Sequence, residues 1–176
     1  MNNKGKGYVV TKILIISDTH QNHFLLGNVL ALNADCDFII HLGDDHDDLN
    51  EHEHYIGEKQ VHFALGFNYN DKEQIKKNVR FNIEGIEFAI SHVKEYLKFD
   101  EQNCIYCFGH THNRYFLQKD NLVIINPGHL KKEFDRNNTA GYVVVELSEK
   151  ITANFYEYQG TLLSSHDLLL KKSLSS

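Results

Sequence analysis

The chain has 176 residues, 41% of them hydrophobic, a length and composition that predict one globular domain (1–176) with a core at about 12–158. The formal net charge of −6 rules out a global basic field, so we expect no extended nucleic acid as a partner. No apolar run reaches the length of a membrane span or forms a secretory signal, which predicts a soluble, cytoplasmic protein without a membrane partner.

Short apolar runs rich in Ile, Val and Phe predict buried strands along most of the chain. In chain order these runs lie at 12–17, 37–42, 60–65, 87–91, 104–108, 122–126 and 141–147. The alternating segment 151–158 predicts a more exposed strand, and 79–90 predicts a hairpin that turns at Glu84 and Gly85. Three cysteines are an odd number and predict no disulfide framework; Cys104 and Cys107 are expected to be ordinary buried strand residues.

Helices are predicted to be fewer than strands. The apolar spacing from Asn22 to Asn33 predicts a helix. Short helices are predicted at 47–55, 71–77 and 94–99, and a Leu-rich segment predicts a C-terminal helix over about 160–171. That segment is expected to pack on either the core or a partner, so a homo-oligomer remains one of the alternatives. Early alternation of strand and helix, followed by strands, predicts an α/β sandwich of two partly parallel sheets.

Five predicted strands are each followed by residues whose side chains bind metal ions. These residues are Asp18, His20, Asp44, Asn68, His92, His110 and His112. Ligands of α/β sheets bind outside the carboxyl ends of strands, so we expect these side chains to converge. Residues two apart point the same way in extended chain, and Gly43 and Gly109 are expected to let the backbone turn sharply.

The donors combine carboxylate, amide and imidazole groups. This combination suits Mn, Fe or Zn better than Ca or an all-thiolate zinc site. Seven donors exceed the needs of one such ion and predict two ions that share a carboxylate. A single histidine at a strand end is more simply a buried polar residue, but agreement among five strand ends favours a metal site.

The other histidines give weaker signals. His41 is either a support for the adjacent loop or a satisfied core residue, and His62 is expected to be structural. His46, His52 and His54 lie in an acidic stretch and are expected on a solvated helix face.

In this order, the motifs resemble those of the calcineurin-like metallophosphoesterases, and within them the small bacterial and archaeal phosphodiesterases. The motifs are Ser17-Asp18-Thr19-His20, Gly43-Asp44, Gly66-Phe67-Asn68, Ser91-His92, Gly109-His110-Thr111-His112 and Asn126-Pro127-Gly128. The resemblance spans residues 12–158 and implies a four-layer α/β/β/α sandwich. It also implies two divalent metal ions, with manganese favoured and nickel, iron, zinc or magnesium as alternatives.

The resemblance also implies the role of each ligand. One ion is expected on Asp18, His20, Asp44 and His112, and the other on Asp44, Asn68, His92 and His110. Asp44 and a hydroxide bridge the two ions, and the hydroxide attacks the phosphorus. The implied catalytic group is therefore Asp44, Asn68 and His92.

The chain departs from the family pattern around the expected substrate pocket. Phe67 separates Gly66 from Asn68, Asn70 replaces an aspartate, and Tyr69 stands where relatives place a leaving-group histidine. Val93 replaces a common glycine, and His129 replaces a common serine. Asn68, Tyr69 and His129 are the expected substrate-binding residues. A tyrosine of ordinary pKa is a poor acid at neutral pH.

No Asp-Arg-Gly follows Gly43-Asp44, which favours a small phosphodiester over a phosphoprotein substrate. Two alternatives remain. One is a phosphomonoesterase or nucleotide hydrolase, and the other is a non-catalytic interaction scaffold like the retromer subunit that has this fold. The intact ligand set favours an enzyme.

Overall fold

Two β-sheets pack face to face in the computed structural model, which describes residues 10–67, 78–100 and 103–172. The first sheet has six strands in the order β13-β12-β11-β1-β2-β3. Its strands are β1 (Thr11–Ile16), β2 (Phe38–His41), β3 (Gln60–Phe63), β11 (Gly141–Leu147), β12 (Ile151–Glu157) and β13 (Leu162–Leu168). Strands β1, β2 and β3 are parallel, whereas β11, β12 and β13 extend the sheet antiparallel.

The second sheet has five strands in the order β4-β5-β6-β8-β7. They are β4 (Val79–Ile83), β5 (Ile86–Ser91), β6 (Cys104–Phe108), β7 (Tyr115–Lys119) and β8 (Leu122–Asn126). Strands β5, β6 and β8 are parallel. A two-stranded hairpin of β9 (Phe134–Asp135) and β10 (Asn138–Thr139) stands apart from both sheets.

The predicted helix after β1 is confirmed as α1 (His23–Leu32). Its N-cap is Asn22, whose side chain accepts a hydrogen bond from Leu25 N at 3.1 Å. A 3₁₀ helix (His46–His52) continues into α2 (Glu53–Ile56), where a short helix was predicted. Only a 3₁₀ turn (Lys94–Tyr96) forms in the segment 94–99, and the predicted helix 71–77 lies outside the described residues.

Three apolar clusters hold these layers together. The largest fills the space between the sheets with side chains such as Ile13, Phe88 and Val145, all fully buried. A second joins the first sheet to α1, and a third, which includes Leu97, covers the outer face of the second sheet. The expected α/β sandwich is therefore confirmed. Cys104 and Cys107 are buried on β6 and form no disulfide, as predicted.

The C-terminal prediction was wrong, because residues 162–168 form β13 rather than a helix. Leu168 and Leu170 are buried while Leu169 is 63% exposed, which is the two-residue period of extended chain. Pairing with β12 decides this conformation over the helix propensity of leucine. It also makes β12 an inner strand, so β12 is more buried than predicted. Within the described residues, no helix has the length and apolar character needed to cross a membrane.

Candidate metal centre

The predicted donors lie on loops that leave β1, β2, β5 and β6. The backbone of these loops is left-handed rather than extended, with φ of 54° at Asp18, 46° at His20, 63° at His110 and 60° at His112. The predicted extended conformation was therefore wrong. The chain instead folds back over the strand ends, and such uncommon backbone conformations cluster at functional sites. Asp18 and His20 still point to one place, with His20 Nε2 4.0 Å from Asp18 Oδ1, whereas among the described residues the rings of His110 and His112 do not share a cluster of candidate ligands.

Three glycines let these loops approach one another. Gly43 has φ of 99°, as the sharp turn before Asp44 requires. Gly109 acts differently, because a Cβ there would lie 2.0 Å from Ser17 Oγ and 2.9 Å from Asp18 Oδ2. At Gly66 a Cβ would lie 2.2 Å from both the backbone N and Oδ1 of Asp44. Gly66 and Gly109 therefore serve close packing rather than a turn.

Five predicted donors converge in space. His112 Nε2 lies 3.3 Å from Asp18 Oδ1 and 3.4 Å from His20 Nε2. Asp44 Oδ2 lies 3.6 Å from His20 Nε2 and 3.3 Å from His92 Nε2. In two groups of three, every pair of ligand atoms falls within 4.8 Å: Asp18, His20 and His112, and Asp18, Asp44 and His92.

Two predicted donors remain, His110 and Asn68. The backbone N of His110 donates to Asp18 Oδ2 at 3.0 Å, and the His110 ring lies 5.3 Å from that of His92. Among the described residues the His110 ring joins neither group of three. Asn68 and Tyr69 lie outside the described residues. Asp44 lies between His20 and His92, and Asp18 is the residue that the two groups of three share.

Two buried ligand atoms in the centre make no hydrogen bond. They are Asp18 Oδ1 and His92 Nε2, and each lies 3.3 Å from an opposing group without hydrogen-bond geometry. Buried polar atoms are nearly always satisfied, so these two atoms fit donors to a bound divalent cation. The mixed carboxylate and imidazole donors suit a divalent transition metal.

Hydrogen bonds behind the centre orient two of the rings. His92 Nδ1 donates to the carbonyl of Leu42 at 2.8 Å, and His112 Nδ1 donates to Asp135 Oδ2 at 2.5 Å. A ring whose Nδ1 carries the proton presents an unprotonated Nε2, the form that binds a metal. Asp135 was not predicted. It belongs to a two-residue strand, and no local pattern marks such a strand in sequence.

The hairpin of β9 and β10 fastens the loop 110–114 at several further points. Arg136 Nη1 donates to Thr111 O at 3.2 Å, Asn138 Nδ2 to Asn113 Oδ1 at 2.5 Å, and Arg114 Nη2 to Thr139 O at 2.6 Å. The hairpin thus fixes the segment that carries both His110 and His112.

The electrostatics of the centre favour a charged Asp44. Burial raises the pKa of Asp44, but the His92 ring 3.3 Å away and its charge, with the N–H of Phe67, outweigh burial and lower the pKa to about 2. Burial lowers the pKa of His92 and His112, yet their carboxylate partners raise it above the ordinary value. In the metal-free protein, protons therefore compete with cations for these two rings.

His41 supports the loops of the centre. Its ring is fully buried, accepts a hydrogen bond from Gly43 N at 3.2 Å and lies 3.3 Å from Thr19 Oγ1. It therefore joins the loop of Asp18 to the loop of Asp44, which favours the supporting role over that of a simple core residue. Burial lowers the pKa of His41 to about 3 and keeps the ring neutral.

His129 is fully buried, and its ring lies 5.3 Å from that of His112. Its Nε2 lies 3.3 Å from Asn138 O, so the geometry favours support of His112 over contact with substrate.

Two other histidines pack against neighbouring elements of the fold. His62 stacks on Phe81 with ring centroids 3.7 Å apart, in line with its predicted structural role. His52 was expected on a solvated face, but it is buried beside Gly27 of α1.

Residues 11–150 match the model of the calcineurin-like phosphoesterase superfamily domain. The chain therefore belongs to this superfamily, and the resemblance seen in sequence is confirmed. No curated protein matches the chain in sequence.

Similar solved structures share the fold at low sequence identity. A predicted phosphoesterase from Streptococcus pneumoniae is 14% identical with a TM-score of 0.67, over 91% of this chain and 98% of that one. The phosphoesterase YfcE from E. coli is 17% identical with a TM-score of 0.65, over 90% of this chain and 100% of that one. Vps29 from Entamoeba histolytica, in complex with zinc, is 14% identical with a TM-score of 0.65, over 89% of this chain and 99% of that one.

Proposed function

We propose that the chain is a phosphodiesterase that holds two divalent cations, with manganese favoured, and hydrolyses a small phosphodiester. The observation that carries the proposal is the pair of donor groups around Asp18 and Asp44, with two ligand atoms buried and unsatisfied. The proposed ligands are Asp18, His20, Asp44, Asn68, His92, His110 and His112.

The residues of the centre supply fixed negative charge and oriented imidazoles. Asp44 stays ionised at neutral pH because its pKa is lowered to about 2. His92 and His112 direct Nε2 toward the carboxylates because Leu42 O and Asp135 hold their Nδ1 atoms. Two bound divalent cations would lower the pKa of a water between them and neutralise charge on the phosphoryl oxygens.

In the proposed reaction, the oxygen of water bonds to phosphorus and one P–O ester bond breaks. The products are a phosphomonoester and an alcohol or phenol. A 4-nitrophenolate leaving group departs without a proton, so a chromogenic diester tests the centre independently of any acid group at Tyr69.

The test is the Asp44→Asn variant, loaded with Mn²⁺ and assayed on bis(4-nitrophenyl) phosphate. We expect loss of activity by at least a hundredfold together with loss of bound metal, measured by elemental analysis. Asp37, the acidic residue directly before β2, supplies the control, and Asp37→Asn should retain both activity and bound metal. Unchanged turnover in Asp44→Asn would refute the proposal.

Initial rates on 4-nitrophenyl phosphate separate a diesterase from a monoesterase. A scaffold of the Vps29 kind would give no turnover on either substrate. The donors alone do not separate the two possibilities, because Vps29 from Entamoeba histolytica also forms a zinc complex; turnover separates them.

A further inference from the structure

An exposed aromatic side chain lies beside the candidate metal centre. The Phe67 ring lies 4.9 Å from the His110 ring and 5.5 Å from the His92 ring, measured between centroids. Even so, 61% of Phe67 remains exposed. Part of the side chain therefore packs beside candidate metal ligands, while the larger part is exposed and can meet a group that binds there.

The position of this ring is set by its backbone rather than by a pocket around it. The N–H of Phe67 donates to Asp44 Oδ1 at 2.9 Å. Gly66 allows this contact, because a Cβ there would collide with Asp44. The same two interactions that seat the loop on Asp44 thus place the Phe67 ring beside His92 and His110.

We propose that Phe67 is a binding platform for an aromatic group on the substrate, so that the preferred diester carries an aryl ring or nucleobase on the ester arm that does not leave. This inference rests on the proposed function for its reaction. Stacked or edge-to-face aromatic pairs with centroids 4.5–7 Å apart add specific attraction beyond the burial of apolar area. An alkyl arm would not gain this attraction.

Isolated exposed hydrophobic residues are common on proteins and need no special role. Phe24 on α1 is such a residue, with 69% exposure. Phe67 differs because its ring contacts two predicted ligands and because its own N–H holds a third. Phe24→Leu is therefore a matched control for Phe67→Leu.

The test compares two Mn²⁺-dependent substrates with the same leaving group, phenyl 4-nitrophenyl phosphate and methyl 4-nitrophenyl phosphate. We expect Phe67→Leu to lower the phenyl-to-methyl ratio of kcat/KM by roughly threefold to tenfold. Phe67→Tyr, which keeps the aromatic face, and Phe24→Leu should keep the wild-type ratio. The intrinsic reactivities of the two substrates cancel when ratios are compared between variants.

Binding supplies a second readout that needs no turnover. Isothermal titration of the Mn²⁺-loaded protein with phenylphosphonate and methylphosphonate should show tighter binding of the phenyl compound, with the preference lost in Phe67→Leu. If both ratios are unchanged in Phe67→Leu, the inference is overturned. If the binding preference depends on Phe67 but neither diester is hydrolysed, the platform stands and the proposed function fails.

Discussion

His112 Nδ1 and Asp135 Oδ2 lie 2.5 Å apart, although 23 residues separate them in sequence. The hydrogen bond to His112 is the main cause of the lowered pKa of Asp135, and Lys132 lowers it further. Asp135 is therefore a carboxylate at every pH at which the protein is expected to work. Its charge holds the proton of His112 on Nδ1, so that Nε2 faces Asp18.

Removal of this carboxylate should weaken metal binding. We expect Asp135→Ala to raise the Kd for Mn²⁺ by about tenfold to a hundredfold, because partners of this kind orient the ligand and raise its basicity. Asp135→Asn should have an intermediate effect, since its amide oxygen still accepts the Nδ1 hydrogen bond. Isothermal titration of metal-free protein provides the measurement.

Lys132→Ala is the matched control. Lys132 Nζ lies 3.0 Å from Asp135 Oδ1 but is exposed, so its loss should change the Kd little. An Asp135→Ala variant that binds Mn²⁺ as wild type does would show that His112 needs no such support.

Gly109→Ala should damage the centre without changing any donor. The added Cβ meets Ser17 Oγ at 2.0 Å and Asp18 Oδ2 at 2.9 Å, so either Asp18 or the strand β6 must move. We expect a loss of about 1–3 kcal/mol in the free energy of unfolding and weaker Mn²⁺ binding. Gly27→Ala in α1 is the control, where the nearest contact is a side-chain atom of His52 at 3.1 Å. Wild-type metal binding in Gly109→Ala would contradict the packing role.

The neutral, buried His41 predicts acid sensitivity of the metal-free protein. Its pKa is about 3 in the folded state against about 6.5 unfolded, so the unfolded chain binds the extra proton between these values. Stability from this residue is therefore present above pH 6.5 and is lost as the pH falls toward 3.

Urea unfolding of the metal-free protein at pH 7 and pH 4.5 measures this effect. We expect wild type to lose about 2–3 kcal/mol more than His41→Asn over this interval, because Asn does not titrate. The exposed His54→Asn variant should keep the wild-type pH dependence. Equal losses in wild type and His41→Asn would contradict the assignment of His41 as a buried neutral residue.

The last residue of β13, Leu168, and the residue that follows it, Leu169, are expected to contribute unequally to the free energy of unfolding. Leu168 is 6% exposed and faces the core between the sheets, whereas Leu169 is 63% exposed. Leu168→Ala should cost about 2–4 kcal/mol in the free energy of unfolding, and Leu169→Ala less than about 0.5 kcal/mol. Urea unfolding of the two variants distinguishes this arrangement, and equal costs would argue against the two-residue period.

Local sequence was sufficient for the strands that build the core and for the donors that follow them. Buried strands such as 104–108 can be predicted from their apolar composition. The donors can be predicted because they follow such strands directly; they are Asp18, Asp44, His92 and His112. Parallel strands bring Asp18 and Asp44 to one edge of the first sheet, and His92 and His112 to one edge of the second. The packing of the two sheets then brings these edges together. The superfamily was predicted from the resemblance of the ordered motifs, and the match of residues 11–150 confirms it.

Only the tertiary structure decided the features that depend on pairing between distant segments. Residues 162–168 form a strand because β12 offers an edge to them, and Asp135 reaches His112 because a two-residue strand folds over the loop 110–114. Phe67 lies against His92 and His110 because Gly66 packs on Asp44. Such contacts leave no periodic signal along the chain, since their partners are set by three-dimensional packing and not by neighbouring residues.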